Sequence, residues 1–252
     1  KLTKNTQPAV MAVGVSIFKV LKEHFNFDTE KIKFFAGHSL GEYTALVCSG
    51  SLSLDKAAYL LHERGKAMQE AVPENHGAMT AILGMSIDEV EKEIGFLPKN
   101  EICEIANDNS YGQVVVSGLK KSIEQLNDNL KKKNKRSIVL PVSAPFHCSM
   151  MNKALIKMKP KIENTVFLKP EPSIISNVTA KEENNAESIK SLLIKQITSR
   201  VRWRESVDYM LKKGVNDFVE IGPGKVLSGL VKKINKNVKI RSVNLMDDII
   251  ND

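Results

Sequence analysis

An α/β fold with a second, smaller unit set into it is what the sequence predicts, and three observations carry that reading. Apolar segments of strand length alternate with segments whose apolar residues recur every three and four positions, the pattern of a mostly parallel sheet covered by helices. A glycine-flanked serine turn, Gly37-His38-Ser39-Leu40-Gly41, joins a strand directly to a helix. Between residues 76 and 143 the rhythm shortens to β-α-β-β-α-β, the order of a ferredoxin-like unit. The larger pattern resumes afterwards, so 76–143 reads as an insertion between 1–75 and 144–252.

Thr6-Gln7-Pro8 opens the first helix, with Pro8 in the first turn, where a missing N–H is tolerated. Val10, Val13, Ile17, Val20 and Leu21 form its core-facing stripe. Ile32–Ala36 is the strand that leads into the serine turn, and the helix beyond it runs to a capping Gly50. Ser53 caps a helix over Leu54–Ala71, which Pro73 prevents from continuing. The inserted unit reads as strand Ala78–Leu83, helix Ile87–Ile94, strands Glu101–Ala106 and Gln113–Ser117, helix Lys121–Lys133 and strand Ser137–Val142. Then follow a helix near Met150–Lys159, strand Ser173–Val178, and helices Ala186–Ile197 and Arg204–Lys213. Strand Asp217–Ile221, a Gly222-Pro223-Gly224 turn, helix Lys225–Ile234 and strand Val238–Val243 finish the chain.

With 252 residues, 42% of them hydrophobic, the chain can bury one large α/β core and a smaller inserted one. No apolar run approaches the roughly 20 residues of a membrane span, and the first residues lack a signal-peptide core, so no membrane association is expected. Cys48, Cys103 and Cys148 are too few and too scattered for a disulfide framework or a metal site, which favours a reducing cytoplasmic compartment and no bound metal. The net charge of +8 favours acidic partners. Its densest run, Lys131 to Arg136, ends a helix, where cations suit the dipole, and no aromatic residues interleave with it, so nucleic acid is not the expected partner.

The turn around Ser39 presents a hydroxyl at a sheet mouth, where a following backbone N–H can meet an oxyanion. A serine hydroxyl needs a general base. His24, His62 and His76 read as solvent-facing. His38 adjoins the nucleophile and is a candidate pocket residue. His147, delivered by Pro145-Phe146 from the end of a strand, is the candidate base, and its mid-chain position differs from the Ser, acid, His order of common esterases. A backbone carbonyl suffices to orient such a histidine. Arg64 falls within the apolar stripe Ala57, Leu60, Leu61, Ala67, Met68, Ala71. Its fork of donors needs a partner, either a protein carboxylate such as Glu42 or the carboxylate of a substrate. Asn107, Asn109 and Asn177 put amides at strand ends, as pocket residues or as Asx turns.

Taken together, Thr6-Gln7-Pro8-Ala9, Gly37-His38-Ser39-Leu40-Gly41-Glu42-Tyr43, Glu63-Arg64-Gly65-Lys66-Ala67-Met68-Gln69, Gln113-Val114-Val115, Pro145-Phe146-His147, Arg202-Trp203 and Glu220-Ile221-Gly222-Pro223-Gly224-Lys225 closely resemble the bacterial malonyl-CoA:acyl carrier protein transacylases over essentially the full length. The resemblance implies an α/β-hydrolase-like large subdomain carrying the ferredoxin-like small one. It implies ping-pong transfer of malonyl from malonyl-CoA to the phosphopantetheine thiol of acyl carrier protein through a malonyl-serine, for fatty acid synthesis. Ser39 would be nucleophile and His147 base and then acid. The Leu40 N–H would form half of the oxyanion hole, and Arg64 would pair with the malonyl carboxylate. The Gln196 carbonyl would orient His147, its side chain mattering little, and Phe146 would accompany malonyl selectivity. No cofactor beyond the coenzyme A thioester substrate is implied, and a cytoplasmic monomer is expected. Family members begin with a strand and a Gly-Gln-Gly-x-Gln loop that supplies the other oxyanion donor. This sequence starts after that point, so these residues alone are expected to be poorly active, one such donor being worth on the order of 10²–10³ in rate. A serine thioesterase or esterase, and a non-catalytic module that binds carrier protein, are the competing readings.

Overall fold

Helix α1 runs over Thr3–His24 in a computed structural model that describes residues 3–25, 27–142 and 144–250. It begins before Thr6, so Pro8 lies inside the helix instead of at its first turn. A proline at that point removes a single bond, the one to the Lys4 carbonyl, and packing against the third helix of the chain holds the segment in place. The face α1 buries is Gln7, Met11, Gly14, Val15, Phe18 and Leu21, while Val13 is 42% exposed. The expected stripe is therefore rotated, because the side chain of Gln7 belongs to the core-facing side.

Strand β1, Phe35–Ala36, is shorter than the expected Ile32–Ala36, since Ile32 still closes the 3-10 turn Thr29–Lys31. Helix α2, Gly41–Cys48, follows the serine turn, and α3, Leu54–Glu70, crosses beneath α1. Gly65 permits that crossing: a Cβ there would lie 2.6 Å from the Lys4 Cα. Met11, Val15, Tyr43, Leu46, Leu60, Leu61 and Met68 lock these three helices into one apolar cluster.

Next come β2 (Gly77–Leu83), α4 (Ile87–Gly95), β3 (Cys103–Ser110), β4 (Gln113–Leu119), α5 (Lys120–Lys132) and β5 (Arg136–Val139). They form an antiparallel sheet in the order β3-β4-β2-β5, the ferredoxin-like arrangement. Ser86 caps α4 reciprocally with Glu89. Ile82, Val90, Val114, Ile123, Leu126 and Leu130 give the unit an apolar core of its own. Ser143, at its expected end, lies outside the described residues.

The chain then forms α6 (Asn152–Glu163), β6 (Ile174–Ile175), β7 (Glu182–Glu183), α7 (Ala186–Gln196), α8 (Trp203–Lys212), β8 (Asp217–Ile221), α9 (Val226–Ile234), β9 (Lys239–Val243) and α10 (Asp247–Ile250). β6 pairs in parallel with β1 and antiparallel with β7, and β8 pairs in parallel with β9. Among the described residues these are two separate short sheets. Strand β6 is two residues long against the expected six, because its neighbour β1 offers a ladder of only that length.

Two features join the parts. Val201, between α7 and α8, accepts from the Asp108 N–H and donates to the Ala106 carbonyl, at 2.9 and 2.8 Å, so it continues the small sheet along the β3 edge. Arg204 on α8 then grips the buried Asp108 carboxylate, Nη2 to Oδ2 2.8 Å, and also reaches Asp208 at 3.0 Å.

Candidate active site

The turn between β1 and α2 is forced by its first glycine. A Cβ on Gly37 would sit 2.0 Å from the Gly41 carbonyl oxygen, so no other residue fits. Two residues on, Ser39 has φ of 54°, in the left-handed region that a residue with a Cβ enters only when its surroundings hold it there. Asn177, 1% exposed and just beyond β6, supplies that hold. Its Oδ1 accepts from the Ser39 N–H at 2.7 Å, and its Nδ2 donates to the Gly37 carbonyl at 2.8 Å. Asn177 thus lies under the turn, neither in an Asx turn of its own nor beside the serine hydroxyl.

His147 also has a positive φ, 58°, and it is 4% exposed. Its Nε2 lies 2.7 Å from Ser39 Oγ, and its Nδ1 lies 2.9 Å from the Gln196 carbonyl oxygen. A third contact assigns the protons. Arg64 Nη2 donates to Ser39 Oγ at 3.0 Å, and a guanidinium cannot accept. The serine proton therefore points to Nε2, which is bare, and Nδ1 carries the imidazole hydrogen and donates it to Gln196. Burial, reinforced by the Arg64 charge, pushes the His147 pKa down to about 3. The imidazole is neutral at ordinary pH and ready to take the serine proton.

Arg64 is 1% exposed on α3, and its apolar neighbours on the helix carry it inward. Among the described residues no ion pair joins it to Glu42. Gln7 Oε1 accepts from Nη1 at 2.7 Å, and Gln196 Oε1 accepts from Nη2 at 2.9 Å. Gln7 is thus part of the site, and its polar side chain on the buried face of α1 was the available sign of it. The Gln196 side chain, expected to matter little, has several partners. Its Nε2 donates to the Ser39 carbonyl at 3.0 Å and to Glu42 Oε2 at 2.8 Å, and approaches Asn177 Oδ1 at 3.4 Å.

Leu40 is the first residue past the nucleophile, at the N-cap of α2. Among the described residues its N–H has no hydrogen-bond acceptor. It stands at the end of the helix where the dipole favours negative charge. His38 turns the other way: its Nε2 is 2.8 Å from Asn109 Oδ1, and its ring lies 5.8 Å from that of Trp203. Burial lowers its pKa, with the Asn109 bond opposing. Asn107 and Asn109 are in strand β3 itself, which extends to Ser110, so the Asx-turn alternative does not apply to them. Register shifts in β3 leave Ala106 and Asn109 as extra residues opposite β4, and the second of these aims Asn109 at His38. Asn107 sits beside Val201 at the junction. Phe146, half-buried, packs against both the α1–α3 core and the inner face of the small sheet. His24, His62 and His76 are exposed. Among the described residues no cluster of His, Cys, Asp and Glu could hold a metal ion, and no helix is long and apolar enough to cross a membrane.

The arrangement is a serine activated by a neutral histidine, with a fixed cation 3.0 Å from the reacting oxygen. It suits acyl transfer from a substrate that carries its own negative charge. The acyl transferase domain family matches residues 1–250. The malonyl CoA-acyl carrier protein transacylase of Haemophilus influenzae is 41% identical over 243 residues, 96% of this chain and 77% of that protein. The Bacillus subtilis protein of the same name is 42% identical over 246 residues, 96% of this chain and 76% of its own length. Among solved structures, an acyl-carrier-protein-S-malonyltransferase from Bartonella henselae superposes with a TM-score of 0.95 at 42% identity, covering 98% of this chain and 79% of that one. A malonyl-transacylase in complex with a type II polyketide synthase acyl-carrier protein reaches 0.94 at 38% identity, covering 99% and 80%.

Proposed function

The chain belongs to the acyl transferase domain family, and from that premise we infer that it moves malonyl from malonyl-CoA to the phosphopantetheine thiol of acyl carrier protein, supplying fatty acid elongation. Ser39 Oγ attacks the thioester carbonyl while its proton passes to His147 Nε2. The carbonyl electron pair moves onto oxygen, next to the Leu40 N–H. When the tetrahedral species collapses, the C–S bond breaks and the imidazolium returns its proton to the departing coenzyme A sulfur. The carrier thiol then repeats the sequence on the malonyl-serine ester, with His147 taking the thiol proton and giving it back to Ser39 Oγ. The Gln196 carbonyl keeps the imidazole in the tautomer both halves need. Arg64 turns from the serine oxygen to the malonyl carboxylate, and Phe146 and the His38–Asn109 pair border the acyl group.

The observation that carries this reading is Arg64, a buried arginine at the nucleophile itself that has no carboxylate partner among the described residues. A hydrolase for neutral acyl chains gains nothing from it. The net charge of +8 suits both acidic partners. We assign residues 76–143 to the small subdomain, supported by their separate apolar core, and the rest to the large one. We place the protein in the cytoplasm, as a monomer that works without a resident cofactor.

Intact-mass analysis after mixing with malonyl-CoA tests the reading. The expected result is a single malonyl adduct, absent from Ser39→Ala and discharged by holo acyl carrier protein. Discharge to water as fast without the carrier would mark a thioesterase instead, and absence of any adduct in a chain extended at its N-terminus would mark a binding module.

A further inference from the structure

Glu42 is a buried acid beside the serine turn that the transfer chemistry does not use. It lies in the first turn of α2, 1% exposed, and touches neither Ser39 Oγ nor His147. One of its oxygens, Oε2, accepts twice: from Gln196 Nε2 at 2.8 Å and from the Asn177 N–H at 3.2 Å. Burial pushes its pKa up to about 7, against the pull of those two bonds and of Arg64. A buried carboxyl oxygen that accepts two hydrogen bonds fixes the groups that donate to it.

What depends on it is the Gln196 amide. An amide can be turned end for end, and its two ends have opposite hydrogen-bonding character. Here the oxygen end meets Arg64, which can only donate, and the nitrogen end meets the Ser39 carbonyl, which can only accept, and Glu42 Oε2, the oxygen that already accepts from the Asn177 N–H. Reversed, the amide would set N–H against N–H at Arg64 and oxygen against oxygen at Glu42. Gln196 thus stands between a buried cation and a buried acid as a dipole with its direction fixed from both sides.

We propose that Glu42 is a positioning residue for malonyl selection: through the Gln196 amide it sets the orientation of the Arg64 guanidinium that receives the substrate carboxylate. The proposal rests on the assignment of Arg64 to the malonyl carboxylate. Glu42 acts on the discrimination between charged and uncharged acyl groups and has no contact with the atoms that react.

The experiment compares kcat/KM for malonyl-CoA and acetyl-CoA in the carrier-dependent assay. Glu42→Leu removes the acceptor and is expected to lower the malonyl-to-acetyl ratio about 10- to 100-fold, the range of one hydrogen bond to a charged group. Glu42→Gln should restore the ratio to within a few-fold, because both bonds fall on one oxygen that an amide also supplies. Gln196→Met, which keeps the backbone carbonyl for His147, should reproduce the loss, and it carries the test if Glu42→Leu does not fold. The double variant should lose no more than the worse single one, since both act along one path. Equal losses for malonyl and acetyl in Glu42→Leu and Gln196→Met, or additive losses in the double variant, overturn the proposal. Arg64→Ala separates it from its premise. If that variant keeps the malonyl preference, the Arg64 assignment fails and takes the proposal with it. If Arg64→Ala loses the preference and Glu42→Leu retains it, only the role of Glu42 is refuted.

Discussion

Ser39 and His147, 108 positions apart in the sequence, approach to 2.7 Å, each held at a positive φ. At the residue scale the main consequence is electrical. Arg64 donates to the same oxygen that gives its proton to His147, so one cation lowers the basicity of the histidine and favours negative charge on the serine. Protonation of His147 removes the base, and its pKa of about 3 puts that event far below the usual histidine range. His147 should therefore contribute no inflection near pH 6.5, as pH falls, to acylation by acetyl-CoA, which needs no cation. In Arg64→Ala the protonated imidazole loses a repulsive neighbour, and the acid limb should move to higher pH. It should stop short of 6.5, because burial, the larger cause, remains. A single-turnover pH profile measures this, and a downward shift of the limb would contradict it. Arg64 was legible in the sequence because a charge interrupted an apolar stripe. Glu42 was readable only as an alternative partner for Arg64, and its link to the Gln196 amide was not legible, because each sits amid ordinary helix residues and the two are 154 positions apart.

At the scale of elements, helices with strong periodicity and caps, such as α3 and α4, were readable to within a residue or two. Misreadings came where tertiary contact overrode a local signal. α1 continues past Pro8 because α3 supports it, and the Asn-Asp-Asn-Ser stretch that resembles a turn is strand because Val201 pairs along it. That junction makes a prediction of its own. Asp108 is 1% exposed, whereas the Arg204 side chain is 19% exposed and has Asp208 as a second partner. Arg204→Ala strands a buried carboxylate and should cost about 3–5 kcal/mol. Asp108→Asn leaves a cation that water and Asp208 still serve, and should cost roughly 1–2 kcal/mol. Urea midpoints should rank them in that order, with the double variant milder than Arg204→Ala. The reverse ranking would mean that the arginine, not the acid, is the stranded group.

For the molecule as a whole, the α/β class and the β-α-β-β-α-β unit were written in periodicity, whereas the sheet arrangement was not. Strand pairing depends on which edges meet, and the large unit's strands, read as a mostly parallel sheet, fall into two short sheets among the described residues. The three cysteines, unremarkable as sequence, end up distributed so as to report on the assembly. Cys48 closes α2, Cys103 opens β3, and Cys148 caps the 3-10 turn Ser149–Met151, its sulfur 3.6 Å from Ser117 Oγ of the small sheet. Burial raises all three thiols, Cys48 and Cys103 to about 12 and Cys148 to about 11. The folded chain should thus hold about a hundred- to a thousandfold less thiolate than an open one. An alkylating reagent becomes a clock for opening, and the order in which the peptides gain mass reads out how the parts separate. Because Val201 and Ser117 bind the small sheet to its surroundings, Cys103 and Cys148 should be labelled together along a urea series. Labelling of Cys103 well before Cys148 would show that the inserted unit unfolds on its own.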